Sequence, residues 1–166
     1  MLANRRYGTT DGHSRWSMDV CIDGDPNILR AARKIAGAAA LALGAPVQTA
    51  FDLEVALGEA LSNAFIHAYG ARGGQILMHF AFDNTRMTLT ISDEGKELRK
   101  QPKIPATVPL TNARGRGLYL MSHLMDDVKV IHPYKGRRGT AIRMKKQLVK
   151  KNGGGGAHGD AISPRR

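Results

Sequence analysis

Alternating apolar positions predict three strands in the first part of the chain. In residues 16–22 every second side chain is apolar, as in a half-buried strand. Residues 75–82 and 87–92 are also predicted strands, and the short polar segment between them predicts a β-hairpin. In the second strand of this hairpin, the side chains expected to face the core are Met87, Leu89 and Ile91.

Two helices are predicted between the first strand and the hairpin. Asp25 followed by Pro26 is a typical helix start, with the acid as N-cap and proline at the first helical position. This helix is expected to run to about Leu43, where Gly44 ends it. Apolar residues with a 3.6-residue period predict a second helix over about residues 48–69.

A polar stripe lies within the second predicted helix. Glu59, Asn63 and His67 recur every four residues among apolar side chains. Each step advances about 40° beyond a full turn, so the three side chains share one slowly drifting face. The stripe is either a solvated edge of the helix or the wall of a functional site, and the pattern alone leaves both interpretations open.

The remaining periodicity predicts the fold class. Residues 96–114 have no period and contain three prolines, which is typical of a functional lid or of disorder. Residues 117–125 read as a helix, and residues 128–131 and 140–148 as a closing pair of strands. The order β-α-α-β-β-lid-α-β-β predicts an α+β fold, a two-layer α/β sandwich whose mixed, mostly antiparallel sheet carries helices on one face.

Composition narrows the class of protein. The 166 residues are enough for one domain, expected at residues 16–150 between a flexible N-terminus (residues 1–15) and a disordered tail (residues 151–166). The single cysteine, Cys21, excludes an internal disulfide framework. No apolar run is long enough for a membrane helix and no secretory signal is visible, so we expect a cytoplasmic protein without a membrane partner.

The net charge of +11 indicates either solubility with a basic tail or an anionic partner. The basic residues form two groups. One group lies in the aperiodic loop: Lys96, Arg99, Lys100, Lys103, Arg114 and Arg116. The other group lies near or in the C-terminal tail: Lys145, Lys146, Lys150, Lys151, Arg165 and Arg166. Direct nucleic-acid binding is not favoured, because aromatic content is only 5% and no reading helix stands out.

Two further motifs carry possible chemistry. Asp93 ends a predicted strand and is followed by Gly95, a pair that suits an exocyclic amine and a flat ring, although a plain turn has the same pattern. Gly115 and Gly117 open an amphipathic helix, whose free N–H groups and positive dipole end suit phosphate. The alternative interpretation of this second motif is a glycine-rich helix start with solvated arginines and no binding role.

Together these motifs resemble the four ordered sequence boxes of the GHKL, or Bergerat-fold, ATPases. The boxes are Glu59-x-x-x-Asn63, Asp93-x-Gly95, Gly115-Arg116-Gly117-Leu118 and Gly139-Thr140. Residues 57–70 and 115–128 closely resemble the anti-sigma factor serine/threonine kinases of the RsbW/SpoIIAB type. The resemblance covers roughly residues 16–148, and four boxes in order are far more specific than any one of them.

The resemblance implies a role for each box. Asn63 would hold Mg²⁺, Glu59 would be the general base toward a serine or threonine hydroxyl, and Asp93 would bind the adenine amine above Gly95. Residues 96–116 would form the ATP lid. The implied ATP-binding residues are Asn63, His67, Asp93, Gly95, Arg114, Gly115, Arg116, Gly117, Leu118 and Thr140. For His67, a satisfied buried histidine is the competing interpretation.

The implied function is that of a bacterial, cytoplasmic, ATP-dependent anti-sigma factor. It would sequester a sigma factor and phosphorylate a serine or threonine of an anti-anti-sigma (STAS-type) protein, and it would form homodimers through the N-terminal strand and first helix. The segment Lys96-Glu97-Leu98 departs from the family pattern after Asp93-x-Gly95, which motivates an alternative: a nucleotide-responsive binding module without kinase turnover. The catalytic domain of a histidine kinase is a third alternative, disfavoured because no phospho-accepting helix pair fits in the chain.

Overall fold

Five strands and three α-helices make up the described part of the chain. The computed structural model describes residues 15–69, 74–83, 85–95, 104, 107, 115–131 and 139–148. In chain order the elements are β1 Arg15–Asp23, α1 Pro26–Ala42, α2 Val47–Asn63, a π-helical segment Ala64–Tyr69, β2 Gln75–Asp83, β3 Arg86–Asp93, α3 Arg116–Leu124, β4 Asp127–Ile131 and β5 Ala141–Gln147. This order confirms the predicted α+β class.

The strands form one sheet in the order β1-β2-β3-β5-β4. All four pairings between these strands are antiparallel, so the sheet expected to be mixed and mostly antiparallel is antiparallel throughout the described residues. The predicted hairpin is present, with Phe80 opposite Leu89 in its register. The predicted closing pair is also present, with Val130 opposite Ile142.

The core lies between the helices and one face of the sheet. Alternate residues of β2 and β3 are buried there, as the alternation predicted: Ile76, Met78, Phe80, Phe82, Met87, Leu89 and Ile91. Helix α2 contributes Leu53, Leu57 and Leu61 to the same core and packs against both α1 and α3. Burying one face of the sheet against this helical layer places α2 at the centre of the fold.

The start of α1 confirms the predicted cap. Oδ1 of Asp25 accepts hydrogen bonds from the backbone N–H groups of Asn27, at 2.7 Å, and Ile28, at 3.4 Å. These bonds satisfy amide groups that have no partner within the helix. The helix ends at Ala42, and Gly44 turns the chain away with φ at 81°.

The second helix ends earlier than its periodicity predicted. The expected helix over about residues 48–69 is α-helical only to Asn63, and the segment Ala64–Tyr69 is π-helical. Phe65 packs against Gly24, where an added Cβ would lie 2.9 Å from Cδ2 of the ring. This contact with the end of β1 is tertiary, so the periodicity of α2 does not encode it. Because π-helical bonding joins residues five apart, side chains four apart no longer align there.

Two of the basic residues grouped near the tail lie inside the domain. Lys145 and Lys146 belong to β5, within the strand predicted over residues 140–148. Lys146 is largely buried and forms an ion pair with Asp52 of α2, its Nζ lying 3.3 Å from Oδ2. Part of the positive charge near the C-terminal tail therefore belongs to the domain, where Lys146 forms a structural ion pair.

Several predictions fall on parts of the chain that lie outside the described residues. They are the flexible N-terminus at residues 1–14, most of the lid at residues 96–116 and the tail at residues 151–166. Among the helices that the structure describes, none combines the length and apolar character needed to cross a membrane.

Candidate functional site

The polar stripe of α2 faces the first turn of α3. A Cβ placed on Gly117 would lie 2.8 Å from Oε2 of Glu59 and 3.3 Å from Nδ2 of Asn63. Oδ1 of Asn63 would lie 3.6 Å from the same point. Two side chains one helical turn apart therefore converge on a glycine about 55 residues further along the chain, where an added Cβ would displace the end of the Glu59 side chain. This geometry favours the wall of a site over a solvated edge.

The third member of the predicted stripe is placed differently. His67 lies in the π-helical segment, beyond the last α-helical residue, Asn63. Its side chain is outside the described residues, as is the whole of Arg114. The alignment of Glu59 with Asn63 therefore does not extend by α-helical spacing to His67.

The start of α3 is built from glycine rather than from a capping side chain. Gly115 occupies the N-cap position with φ at 101°, a conformation that residues with a Cβ rarely adopt. No side-chain hydrogen bond caps this helix. The first turn of α3, which carries the positive end of the helix dipole, lies close to Glu59 and Asn63, and a helix N-terminus suits a phosphate group. Arg116 is exposed at the first helical position, and Leu118 is partly buried against the core.

A second cluster forms around Asp93, the last residue of β3. Asp93 is only 7% exposed, and its Oδ1 accepts hydrogen bonds from the N–H groups of Gly95, at 3.0 Å, and Thr140, at 3.3 Å. The backbone N–H of Asp93 in turn donates to the carbonyl oxygen of Thr140, at 3.0 Å. Three predicted site residues from two distant parts of the sequence are therefore brought together, and the carboxylate is held in one orientation.

Gly139 completes this cluster and was not among the predicted site residues. Its φ is 104°, and an added Cβ would overlap the backbone carbonyl oxygen of Asp93 and lie 2.9 Å from its Oδ1. The available signal was the Gly139-Thr140 pair before the last strand. Its local context indicates a turn, whereas the reason for glycine is the close approach of Asp93 in the neighbouring strand.

The two clusters belong to neighbouring elements. β3, which ends in Asp93, contacts both α2 and the π-helical segment that follows Asn63. One cluster offers a fixed carboxylate beside a glycine-lined turn. The other offers a carboxylate and a carboxamide facing a helix N-terminus. This pairing is suited to a ligand with a hydrogen-bonding ring at one end and phosphates at the other.

The oxygen donors of the stripe fit a hard cation held mainly by phosphate and water. Among the described residues, no group of three His, Cys, Asp or Glu side chains could enclose a metal ion. Mg²⁺ needs few protein ligands, because it keeps several waters and binds substrate phosphates. The side-chain oxygens of Asn63 and Glu59, which approach the same point beside Gly117, are donors of the right kind.

Comparison with known proteins identifies similar chains. Residues 22–146 match the family described as the histidine kinase-like ATPase domain. The anti-sigma F factor of Halalkalibacterium halodurans is 33% identical over 125 residues, which cover 72% of this chain and 84% of that protein. The serine-protein kinase RsbW of Bacillus velezensis is 30% identical over 154 residues, 87% of this chain and 92% of that protein. RsbW of Bacillus subtilis is 35% identical over 106 residues, covering 58% and 64%.

Proposed function

This chain belongs to the histidine kinase-like ATPase family, and from that premise we propose that it is an ATP-dependent anti-sigma factor with serine/threonine kinase activity. It sequesters a sigma factor and phosphorylates a serine or threonine of a STAS-type antagonist. The names of its relatives, anti-sigma F factor and serine-protein kinase, support both activities. The observation that carries the proposal is the convergence of Glu59 and Asn63 on Gly117 at the start of α3.

Glu59 is the general base in this proposal. Its carboxylate accepts the proton of the substrate hydroxyl as the hydroxyl oxygen forms a new bond to the γ-phosphorus of ATP. The bond between the γ-phosphorus and the β–γ bridging oxygen breaks, and ADP leaves with that oxygen. The N–H groups at the start of α3 stabilise negative charge on the phosphates, with Arg114 and Arg116 as additional cations.

Asn63 has a different role from Glu59, although the two are one turn apart. Its side-chain oxygen holds Mg²⁺, which when bound neutralises phosphate charge. We also propose that His67 binds ATP near the phosphate end, as the family resemblance implies. Asn63 is therefore needed for binding of Mg-ATP, whereas Glu59 is needed for transfer.

Asp93 selects adenine. Its buried carboxylate, oriented by the N–H groups of Gly95 and Thr140, accepts a hydrogen bond from the exocyclic amine. Gly95 and Thr140 line the pocket for the ring, Gly115, Gly117 and Leu118 follow the phosphates, and residues 96–116 close over them as a lid.

Partner switching and assembly complete the proposal. The unmodified antagonist captures the kinase and releases the sigma factor, and phosphorylation reverses this exchange. The protein is bacterial and cytoplasmic, binds neither nucleic acid nor membrane directly, and forms a homodimer through β1 and α1. The position of β1 at the edge of the sheet supports that interface, because an edge strand presents backbone groups to a second chain.

Two variants of the stripe and one control test the assignment. Calorimetry measures Mg-ATP binding, and mass spectrometry measures transfer to each STAS-domain protein encoded in the same genome. Glu59→Gln should bind Mg-ATP as the unsubstituted protein does but transfer about 10² to 10⁴ times more slowly. Asn63→Ala should bind Mg-ATP at least about tenfold more weakly. Ser62→Ala changes an exposed residue between the two and should alter neither quantity.

If Glu59→Gln transferred phosphate as fast as the unsubstituted protein, Glu59 would not be the general base and the proposed kinase mechanism would be wrong. If no STAS-domain protein is phosphorylated although Mg-ATP binds, the chain is instead a nucleotide-responsive binding module.

A further inference from the structure

Lys146 connects three elements that do not adjoin in sequence. Its Nζ lies 3.3 Å from Oδ2 of Asp52 in α2 and donates a 2.5 Å hydrogen bond to the carbonyl oxygen of Leu124, the last residue of α3. The side chains of Lys146 and Asp52 are only 17% and 14% exposed. Oδ1 of Asp52 also accepts a hydrogen bond from Nε2 of Gln48, at 2.9 Å, so both carboxylate oxygens are engaged. We refer to these contacts of Lys146 with Asp52 and Leu124 as the Lys146 clamp. The ion pair is partly shielded from solvent, and each carboxylate oxygen of Asp52 has a defined hydrogen-bonding partner.

The clamp lies on the same helix pair as the candidate site. Asp52 and Glu59 are two turns apart on one face of α2, about 10 Å along its axis. Leu124 and Gly117 are also about 10 Å apart along the axis of α3. Leu124 follows Gly117 in the chain, whereas Asp52 precedes Glu59, so the two helices run in opposite directions between the two points. Helices α2 and α3 are therefore joined at two points about 10 Å apart, by the Lys146 clamp at one and by the Glu59–Gly117 approach at the other.

From this geometry we propose that Lys146 is a positioning residue for phosphoryl transfer. By holding the carboxyl end of α3 to α2, it sets where the first turn of α3 lies relative to Glu59 and Asn63. It does not touch the reacting atoms. The effect of Lys146 on the transfer rate rests on the proposed kinase function. The effect of Lys146 on the position of α3 is independent of that function.

Further hydrogen bonds link the carboxyl end of α3 to the strand that carries Lys146. The carboxyl end of α3 passes through Met125 and Asp126 into β4, and the N–H of Asp126 donates to the carbonyl oxygen of Lys145. Oδ2 of Asp126 accepts a hydrogen bond from the N–H of Gln147. This end of α3 is thus tied to β5 on both sides of Lys146. The first turn of α3 begins instead at glycine and has no side-chain cap, so its position depends on the packing of the helix.

Lys146→Met tests the proposal, with Lys34→Met as a matched control. Methionine resembles the apolar stem of lysine but lacks the terminal ammonium group, so it removes the charge and both hydrogen bonds. Lys34 also pairs with α2, through Glu54, but it belongs to α1. Lys146→Arg keeps the charge and should retain part of the effect of lysine.

Two measurements on the full chain, made well below the melting temperature, separate positioning from stability. Amide hydrogen exchange over residues 116–121 should rise in Lys146→Met and remain unchanged in Lys34→Met. The transfer rate at saturating Mg-ATP should fall about 10- to 100-fold in Lys146→Met, because misplacement by less than 1 Å is costly in transfer reactions.

Each outcome is decisive for one proposal or the other. If Lys146→Met leaves exchange in α3 unchanged, or if Lys34→Met slows transfer equally, the positioning role is wrong. If Lys146→Met only lowers the melting temperature while the rate is retained, the clamp is purely structural. If the unsubstituted protein transfers no phosphate to any STAS-domain protein, the kinase proposal fails, and the exchange data still decide whether Lys146 positions α3.

Discussion

Gly117→Ala should separate activity from stability more cleanly than any other single change in the site. The added Cβ would lie 2.8 Å from Oε2 of Glu59, about 0.6 Å short of the 3.4 Å at which ordinary contact begins. The opposing atom is the end of a flexible side chain, so Glu59 can retreat instead of the backbone. Alanine also has the higher helix propensity, by up to about 1 kcal/mol.

The expected result is therefore a folded protein with a displaced base. We expect its melting temperature to change by no more than about 3 °C, since 1 kcal/mol corresponds to a few degrees in a domain of this size. Displacement of Glu59 and Asn63 by about half an ångström should slow transfer about 10- to 100-fold. That loss corresponds to a barrier higher by about 1.4 to 2.7 kcal/mol.

Gly58→Ala is the matched control for this experiment. Gly58 precedes Glu59 in α2, and an added Cβ there would lie 3.7 Å from Cδ of Arg33, an ordinary contact. Its helix-propensity gain should raise stability without changing the transfer rate. Thermal melts and single-turnover transfer with Mg-ATP measure both variants. A Gly117→Ala protein that transfers phosphate as fast as the unsubstituted chain would refute the view that Glu59 acts beside Gly117.

Three further changes test other parts of the structure. Gly139→Ala should lower the free energy of unfolding by at least about 2 kcal/mol, because of its positive φ and the overlap with Asp93, and should abolish ADP binding in calorimetry; a stable, ADP-binding variant would contradict this. Asp93→Asn keeps one oxygen for the two N–H donors, so the variant should remain folded. It should bind ATP about tenfold more weakly, whereas the affinity for GTP should change less. An ATP affinity equal to that of the unsubstituted protein would exclude Asp93 as the acceptor for adenine. Asp25→Ala removes the cap of α1 and should cost about 1 kcal/mol in chemical denaturation, with ADP affinity unchanged; no loss of stability would show that the cap is redundant.

Local pattern was sufficient for most of the elements. Period-2 alternation located β2 and β3 and their buried residues, because facing one core is a property of each strand by itself. The Asp25-Pro26 pair gave the start of α1, because capping involves amide groups within three residues. The same locality explains the error in α2, where apolar spacing continued through a segment whose backbone is π-helical.

The candidate site was predictable only in part. Residue types and spacing made Glu59, Asn63, Asp93, Gly95, Gly115 and Gly117 candidate site residues, whereas Thr140 was predicted only through the resemblance to the GHKL ATPases. Their division into two clusters, and the direct approach of Gly139 to Asp93, depend on how strands and helices pack. A glycine in the sequence is compatible with the close approach of another group, but it does not identify that group.

The α+β class, the order of elements and the polar stripe with which Glu59 and Asn63 interrupt a buried helix were all predictable from local patterns in the chain. These features depend on interactions within one element, where spacing along the chain fixes spacing in three dimensions. The approach of the stripe to Gly117, and the burial of Lys146 against Asp52, 94 residues away, became visible only in the folded molecule. Contacts at that separation are set by the packing of whole elements, which local periodicity does not contain.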